Sequence, residues 1–305
     1  MTLLEVLAER GLTGATRRKA LQTGKVLLRG APTGYGKRED DPADVRIHEN
    51  APRLHPGQDF AVVFRDKHMV VVYKPSGMLS VGAPSRAKDP NLVSALARLY
   101  GQAHPVHRLD EGTSGLMMVA LTTIAQKTLK KMLEEHDIER GYLAITHNEM
   151  KDEPFSISSS LGRNPHTGLR ASVHFHDPEA RQATTHFVRQ EALPKSFSVV
   201  RATLETGRTH QVRIHLSERK HPVLGDPLYG RKRDPFPRLA LHAAVLGFVH
   251  PLTEEPLRFD IGLADDMARF RYNLLHPEEQ PAPGTRKFTR RKPNKGTRTR
   301  NKKRR

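Results

Sequence analysis

Leu3, Leu4, Val6 and Leu7 recur at helical spacing and predict a short amphipathic helix at the start of the chain. A second short helix is expected from Thr16, as N-cap, through Leu21, with Gly24 breaking it. Lys25-Val26-Leu27-Leu28-Arg29 then reads as a strand before the turn Gly30-Ala31-Pro32. Phe60 to Phe64 and Met69 to Tyr73 are β-rich runs flanking the polar turn Arg65-Asp66-Lys67-His68, a hairpin pattern. Leu92, Ala95, Leu96 and Leu99 form a helical stripe, and Leu116 to Leu121 is an almost unbroken apolar run that predicts a buried strand. Thr122 or Thr123 caps a helix through Leu133, with Ile124, Leu129 and Leu133 expected inward. Several short strand-like runs follow from Tyr142 to about Leu204. Leu263 to Leu275 reads as a last amphipathic helix, and Pro277, Pro281 and Pro283 end the fold. Strands and helices mix without regular βαβ alternation, so the expected class is α+β. The chain shows no internal repeat, no phosphate-binding loop and no glycine-rich dinucleotide fingerprint.

At 305 residues the chain has room for about two domains and a sizeable core. Residues 1–50 form a small module, loop-like from Thr33 to Asp44; 51–277 the main domain, opened by Pro52, Pro56 and Gly57; and 278–305 a basic tail. The absence of cysteine excludes disulfides, thiolate zinc sites, iron–sulfur clusters and a thiol nucleophile. No apolar run approaches the ~18–20 residues of a membrane span, and no basic segment followed by an apolar stretch opens the chain, so a cytoplasmic protein is expected. Charge sharpens this picture. Lys and Arg number 51 against 33 Asp and Glu, a formal +18. Arg286 to Arg305 holds twelve basic residues and no acidic one, so that stretch carries +12 of the +18 and leaves +6 for the rest. Such a block is expected to stay solvated and disordered and to seek polyanions. Nucleic acid is preferred over a localisation signal because the remainder is basic too.

Three clusters concentrate polar, titratable residues among turn formers. His107-Arg108-Leu109-Asp110-Glu111-Gly112-Thr113-Ser114-Gly115 precedes the buried strand, and its Asp110 suits a nucleophile or base. On spacing alone, a turn with a surface ion pair is the favoured reading. Thr206 to Leu216 reads as a strand end, a glycine turn and a helix capped near Thr209, where Arg208, Arg213 and the helix start suit an anion. A metal is rejected there: His210 and His215 lie about 140° apart around a helix, and no carboxylate or cysteine adjoins them. His221 to Gly230 is a proline- and glycine-rich rigid loop without an evident role.

These strings resemble those of the RluA-type pseudouridine synthases. HRLDEGTSGL at 107–116 is similar to the family's catalytic motif, GRTHQVRIHL at 207–216 to its second signature, and HPVLGDPLYG at 221–230 to the next block. Lys74-Pro75-Ser76-Gly77-Met78 resembles the early block, and Arg238 to Ala243 with His250-Pro251 the late one. Five blocks fall in family order over roughly residues 60 to 262. Residues 17–30 more loosely resemble an S4-like RNA-binding module.

The resemblance implies a catalytic domain with a mixed, mostly antiparallel sheet and flanking helices, behind a small S4-like module. It implies isomerisation of uridine to pseudouridine in RNA, without cofactor or metal; a monomer is expected, although the sequence does not fix the oligomeric state. Ribosomal RNA is the favoured substrate and transfer RNA the runner-up. Asp110 falls on the family's one aspartate, acting at C1′ or C2′ of the sugar. Arg213 matches the arginine paired with it, Tyr142 the tyrosine stacking on the target base, and Arg108 the residue that fills the gap left in the RNA. His107, Arg208 and Lys74 are further candidate RNA contacts, with Lys74 inclined to shaping its loop, and Arg17, Arg18 and Lys19 are candidates in the N-terminal module. A non-catalytic RNA-binding or ribosome-assembly factor is the competing reading. A glycosidic hydrolase lacks an obvious second carboxylate.

Overall fold

The computed structural model describes residues 1–22, 26–28, 31–33, 37, 41–47, 60–82, 86, 89–174 and 176–279, with the backbone alone at 19, 22, 27, 31 and 32. The expectations at Gly24, Lys25, Arg29, Gly30, Pro52, Pro56 and Gly57, half of the loop at 33–44, the prolines at 281 and 283, and the basic tail from residue 280 on lie outside the described residues.

The first helix, α1 (Leu3–Glu9), is fixed by a capping box. The Thr2 hydroxyl accepts from Glu5 N, and the Glu5 carboxylate accepts from Thr2 N at 2.7 Å. The second, α2 (Gly14–Gln22), begins before Thr16, whose hydroxyl instead donates to the Thr13 carbonyl at 2.9 Å, so Thr16 lies in the first turn and is not the cap. Both helices cover a small antiparallel sheet of β1 (Val26–Leu28), β2 (Ala31–Pro32) and β3 (Val45–Ile47), ordered β2-β1-β3. Leu3, Val6, Leu7, Ala20, Leu21, Val26, Leu28 and Val45 form its core.

The main domain carries one large sheet. Its strands are β4 (Ala61–Arg65), β5 (Met69–Lys74), β6 (His104–Pro105), β7 (Ser114–Ala120), β8 (Glu139–His147), β9 (Phe155–Arg163), β10 (Arg170–Ser172), β11 (Arg181–Leu193), β12 (Phe197–Leu204), β13 (Leu241–Val249) and β14 (Pro256–Asp260). The spatial order is β10-β9-β11-β12-β8-β13-β7-β5-β4, with β14 beside β13 and β6 beside β7. All pairings are antiparallel except β13 with β7. That seam has two rungs, His242 with Ser114 and Ala243 with Gly115, after which β13 turns to β14. Gly115 makes the seam possible. Its φ is +121°, and a Cβ there would lie 2.2 Å from the Ala243 carbonyl oxygen.

The apolar run at 116–121 has a simple cause: the sheet is covered on both faces there. Leu116, Met118 and Ala120 face the cluster containing Ala125 and Leu129 of α4 (Thr123–Glu134), whereas Met117 and Val119 face Leu92 and Leu96 of α3 (Leu92–Tyr100). Each fully buried large apolar side chain stabilises the fold by ~1.5–3 kcal/mol relative to exposure. Thr122 caps α4 by accepting from Ala125 N. Ile124, expected inward, is 64% exposed, because the inward stripe runs through Ala125 and Leu129, leaving the second helical position outside. The remaining helices are α5 (Gln211–Glu218), against the β8-β12-β11 face, and α6 (Asp265–Leu275), which starts two residues later than expected. Among the described residues no helix is long and apolar enough to cross a membrane.

Candidate active site

The loop before β7 is held from beneath by the loop after β5. Lys74, the last residue of β5, is fully buried. Its ammonium donates to the carbonyls of Pro75 at 2.9 Å, Met78 at 2.8 Å and Glu111 at 3.2 Å. Burial pulls the Lys74 pKa down to about 8 against the pull of Asp110 and Glu111. Ser76 Oγ donates to the Gly112 carbonyl, Gly77 N to the Glu111 carbonyl, and Ser80 Oγ to the Leu109 carbonyl, each at 2.7 Å. With Leu109 buried, the turn presents Asp110 outward, one-fifth exposed. The surface ion pair of this turn belongs to its neighbour Glu111, which meets Arg86 at 2.8 Å.

The opposite wall is α5. Arg213 Nη1 donates to Asp110 Oδ2 at 3.0 Å. Its other edge is clamped by Asp226, with Nε to Oδ2 and Nη2 to Oδ1 both at 2.8 Å. Asp226 Oδ1 also accepts from the amides of Leu228 and Tyr229. Burial alone would raise the Asp226 pKa, but the Arg213 bonds and charge, with the two amides, bring it below the usual value. The bonds and charges of Asp226 and Asp110 in turn raise the pKa of Arg213 against its burial. The Arg213 guanidinium lies over the Tyr229 ring, 5.1 Å from its centroid. Gly225 permits the clamp: its φ is +67°, and a Cβ would overlap the Arg238 carbonyl oxygen at 1.8 Å. The start of α5 differs from expectation. Thr209 is no cap; His210 occupies that position at φ 60° without a side-chain cap bond. Gln211 ties the preceding turn instead, accepting from Arg208 N and Thr206 Oγ1, both at 2.9 Å.

Between the walls lies a cleft of about 670 Å³ lined by Asp110, Arg213 and Tyr142 together with Arg108, Arg140 and Arg208. Tyr142 sits on β8 opposite Ala202 and Ala243, half-buried between two core clusters. Burial pushes its phenol up to about 12, with Arg140 opposing and Asp110 adding to the shift. The ring therefore stays neutral, an apolar face beside a carboxylate. Arg140 is buried, donates to the Glu205 carbonyl at 2.6 Å and, among the described residues, leaves its Nε without a partner.

The structure thus brings Asp110, Arg213, Tyr142, Arg108, Arg208 and His107 to one cleft. Arg108 is exposed on its rim, and Arg208 is anchored by Nε to the Gln182 carbonyl at 3.0 Å. His107 turns away from solvent: its Nε2 accepts from Met118 N at 3.1 Å, and burial, with Arg140 adding, holds its pKa at about 3. Lys74 is committed to three carbonyls under the loop. In the N-terminal module Arg17 donates to the Leu4 carbonyl at 2.9 Å and Arg18 is exposed, while the Lys19 side chain lies outside the described residues. The anions that Arg213 holds are two carboxylates of the chain itself, Asp110 and Asp226. The sequence missed Asp226, Arg140 and the placement of His210. Asp226 stood in a noted loop, Gly225-Asp226-Pro227, but nothing local to that loop points 13 residues back to Arg213.

Comparison with known proteins agrees with this geometry. Residues 68–218 match the family model described as RNA pseudouridylate synthase. "Ribosomal large subunit pseudouridine synthase D" of Zymomonas mobilis is 37% identical over 227 residues, covering 68% of this chain and 70% of the relative. "Uncharacterized RNA pseudouridine synthase YlyB" of Bacillus subtilis is 33% identical over 267 residues, covering 83% and 87%. The solved structure of human RNA pseudouridylate synthase domain containing 1 superposes with a TM-score of 0.56 at 25% identity, over 74% of this chain and 97% of that one. With five sequence blocks in order, the two walls of the cleft built from them, and relatives matched over most of their length, the chain belongs to the RluA-type RNA pseudouridine synthases, enzymes that isomerise uridine to pseudouridine.

Proposed function

We propose that this enzyme acts on uridines of ribosomal RNA, with Asp110 working at the sugar of an extruded nucleotide. The observation that carries the reading is the Asp110 carboxylate: one oxygen is held 3.0 Å from Arg213 and the group opens into the cleft that Tyr142 lines. Isomerisation needs the C1′–N1 bond broken, the uracil turned in place, a C1′–C5 bond made, the C5 proton released and the freed N1 protonated. Asp110 serves this by attack at C1′ or proton removal at C2′, and Arg213 orients it. Taking a nucleotide out of its stack costs a few kcal/mol, and an aromatic ring beneath the base returns ~1–3 kcal/mol of that. Tyr142 fills this role, its neutral ring offering a face without a competing charge. Arg108, exposed on the rim, enters the space the nucleotide vacates. The cleft carries Arg140 and Arg208 for the flanking backbone. Residues 1–50 and the basic stretch at 286–305 add sequence-independent hold on phosphates. The relative from Zymomonas mobilis, named for the ribosomal large subunit, supports that substrate class.

The test is tritium release from RNA labelled at uridine C5. Release from ribosomal RNA that is lost in Asp110→Asn is expected. Release unchanged in that variant would remove Asp110 from the mechanism, and release from transfer RNA alone would overturn the substrate.

A further inference from the structure

His210 has no part in the scheme so far, yet its backbone is unusual. It stands just before α5 at φ 60° and ψ 15°, a left-handed conformation uncommon for a residue with a Cβ, although histidine is enriched there. The conformation is not used for capping, since the side chain makes no cap bond. It turns the ring into the cleft instead, between Asp110 and Tyr229. Nε2 lies 3.9 Å from Asp110 Oδ1, and Nδ1 lies 3.0 Å from the Tyr229 hydroxyl oxygen. The Tyr229 ring meets the imidazole edge-on, with centroids 5.6 Å apart.

Counting donors fixes the tautomer. The Tyr229 hydroxyl donates to the Arg170 carbonyl at 2.9 Å, and a carbonyl oxygen only accepts. A phenol has one hydrogen, so toward His210 its oxygen must accept, and Nδ1 carries the proton. Nε2 of the neutral ring therefore presents a lone pair on the Asp110 side. Burial, with Arg213 adding and Asp110 opposing, lowers the His210 pKa, which favours this neutral form. Among the described residues nothing else bonds Nε2. Arg213 occupies the other oxygen of Asp110, Oδ2. Two acceptors, Nε2 and Oδ1, thus face one another across 3.9 Å, too close to be indifferent and unable to bond directly. Such a pair calls for a donor between them.

We propose that His210 Nε2, beside Asp110 Oδ1, forms a hydroxyl-binding subsite for the ribose 2′-OH of the target nucleotide, by which the enzyme distinguishes RNA from DNA at the reacting position. The inference rests on reading the cleft as the uridine site. If Asp110 acts at C1′ or C2′, the 2′-OH, carried on C2′ and next to C1′, is the sugar hydroxyl nearest the reacting atoms, and it is the group that separates RNA from DNA. Donating its hydrogen to Nε2 leaves the carboxylate free for the carbon skeleton. Tyr229 is the positioning residue, acting through Nδ1.

The experiment uses an RNA hairpin carrying a uridine from which wild-type enzyme releases C5 tritium, and the same hairpin with 2′-deoxyuridine at that position. Their affinities are compared by competition against a fluorescent copy of the ribose hairpin. In the wild-type protein the deoxy hairpin is expected to bind about 10-fold more weakly, the worth of one hydrogen bond. His210→Asn keeps an amide donor for Tyr229 and tolerates a positive φ, but has no acceptor at the Nε2 position. Its ribose-to-deoxy ratio should collapse to within about 2-fold, while His210→Gln, which can place an oxygen near Nε2, recovers part of it. The ratio is internal to each protein, so a reduced folded fraction does not distort it. Equal ratios in wild type and His210→Asn, or a wild-type ratio of one, overturn the proposal. Wild-type protein that releases tritium from no RNA is a different result: it defeats the uridine reading and takes this subsite with it.

Discussion

Two loops place an aspartate on the same guanidinium, and they use it differently. Asp226, with a fully buried side chain, receives Arg213 Nε and Nη2 and two backbone amides. Asp110, one-fifth exposed, receives Arg213 Nη1 on Oδ2 and turns Oδ1 toward the cleft side, where His210 stands 3.9 Å away. The residue type and the partner are identical, so the difference lies in saturation. A carboxylate whose lone pairs are filled by fixed donors is an anchor; one left with an open oxygen can meet a substrate. The anchor in turn determines where the open one is held, because it fixes the arginine from behind.

The largest effect that could break this contrast is on chemistry. Asp110→Asn should lower tritium release by on the order of 10⁴-fold, as for removal of a group at the reacting atoms. Urea unfolding of the same variant should shift by no more than about 0.5 kcal/mol, as for a partly exposed site. Asp226→Ala should do the reverse in stability. It strips two of the three carboxylate bonds from a buried guanidinium, leaving only Asp110, and urea unfolding should show a loss of about 3 kcal/mol. Equal stability losses in the two variants would erase the distinction between anchor and reactive group.

Acid sharpens the contrast further, through His107 on the Asp110 loop. Burial holds this histidine at about 3 in the fold, against 6.5 for a free side chain. Between those values the unfolded chain binds a proton that the folded one refuses. Stability from this group is therefore complete above pH 6.5 and falls as the pH drops toward 3. Its slope is at most about 1.4 kcal/mol per pH unit, visible in urea melts between pH 7 and about 4.5 and flattened in His107→Gln. Asp226, whose pKa lies below 3.8, loses its contribution only in stronger acid, so the Asp110 loop should weaken first. The smallest effect concerns neither aspartate. Deleting residues 286–305 should reduce the salt dependence of RNA binding, whose slope is about −0.7 per phosphate contacted on single strands. Single-turnover release at saturating RNA should stay unchanged. An unchanged slope would show that this basic stretch does not touch the RNA.

Much of the fold was legible because its signals are local. The hairpin of β4 and β5, the run in β7, the Thr122 cap and the mixed class all follow from period, turn chemistry and composition. Misjudged points have local causes as well. Ile124 looked inward because a helix start one position off rotates the stripe, and Thr209 looked like a cap because the left-handed turn at His210 leaves no sequence mark. At the site, the resemblance named Asp110, Arg213 and Tyr142 in three separate stretches, and the fold brings them to one cleft. What remained hidden was their support. Lys74 gathers carbonyls from residues 75, 78 and 111, and Asp226 grips Arg213 across a turn. Bonds of side chains to distant backbone depend on the finished packing and have no period to betray them.

Asp110 and Arg213 are 103 residues apart, and the clamp on Arg213 comes 13 residues later still. Behind Asp110 the seam needs β13, which begins at Leu241. A chain emerging from synthesis with everything up to Glu205 already holds the aspartate, the tyrosine and most of the sheet, yet has nothing to orient the carboxylate. Competence thus arrives late and at once, when the final third of the chain is threaded into place. On the proposed reading, a product truncated there lacks the arginine that orients Asp110.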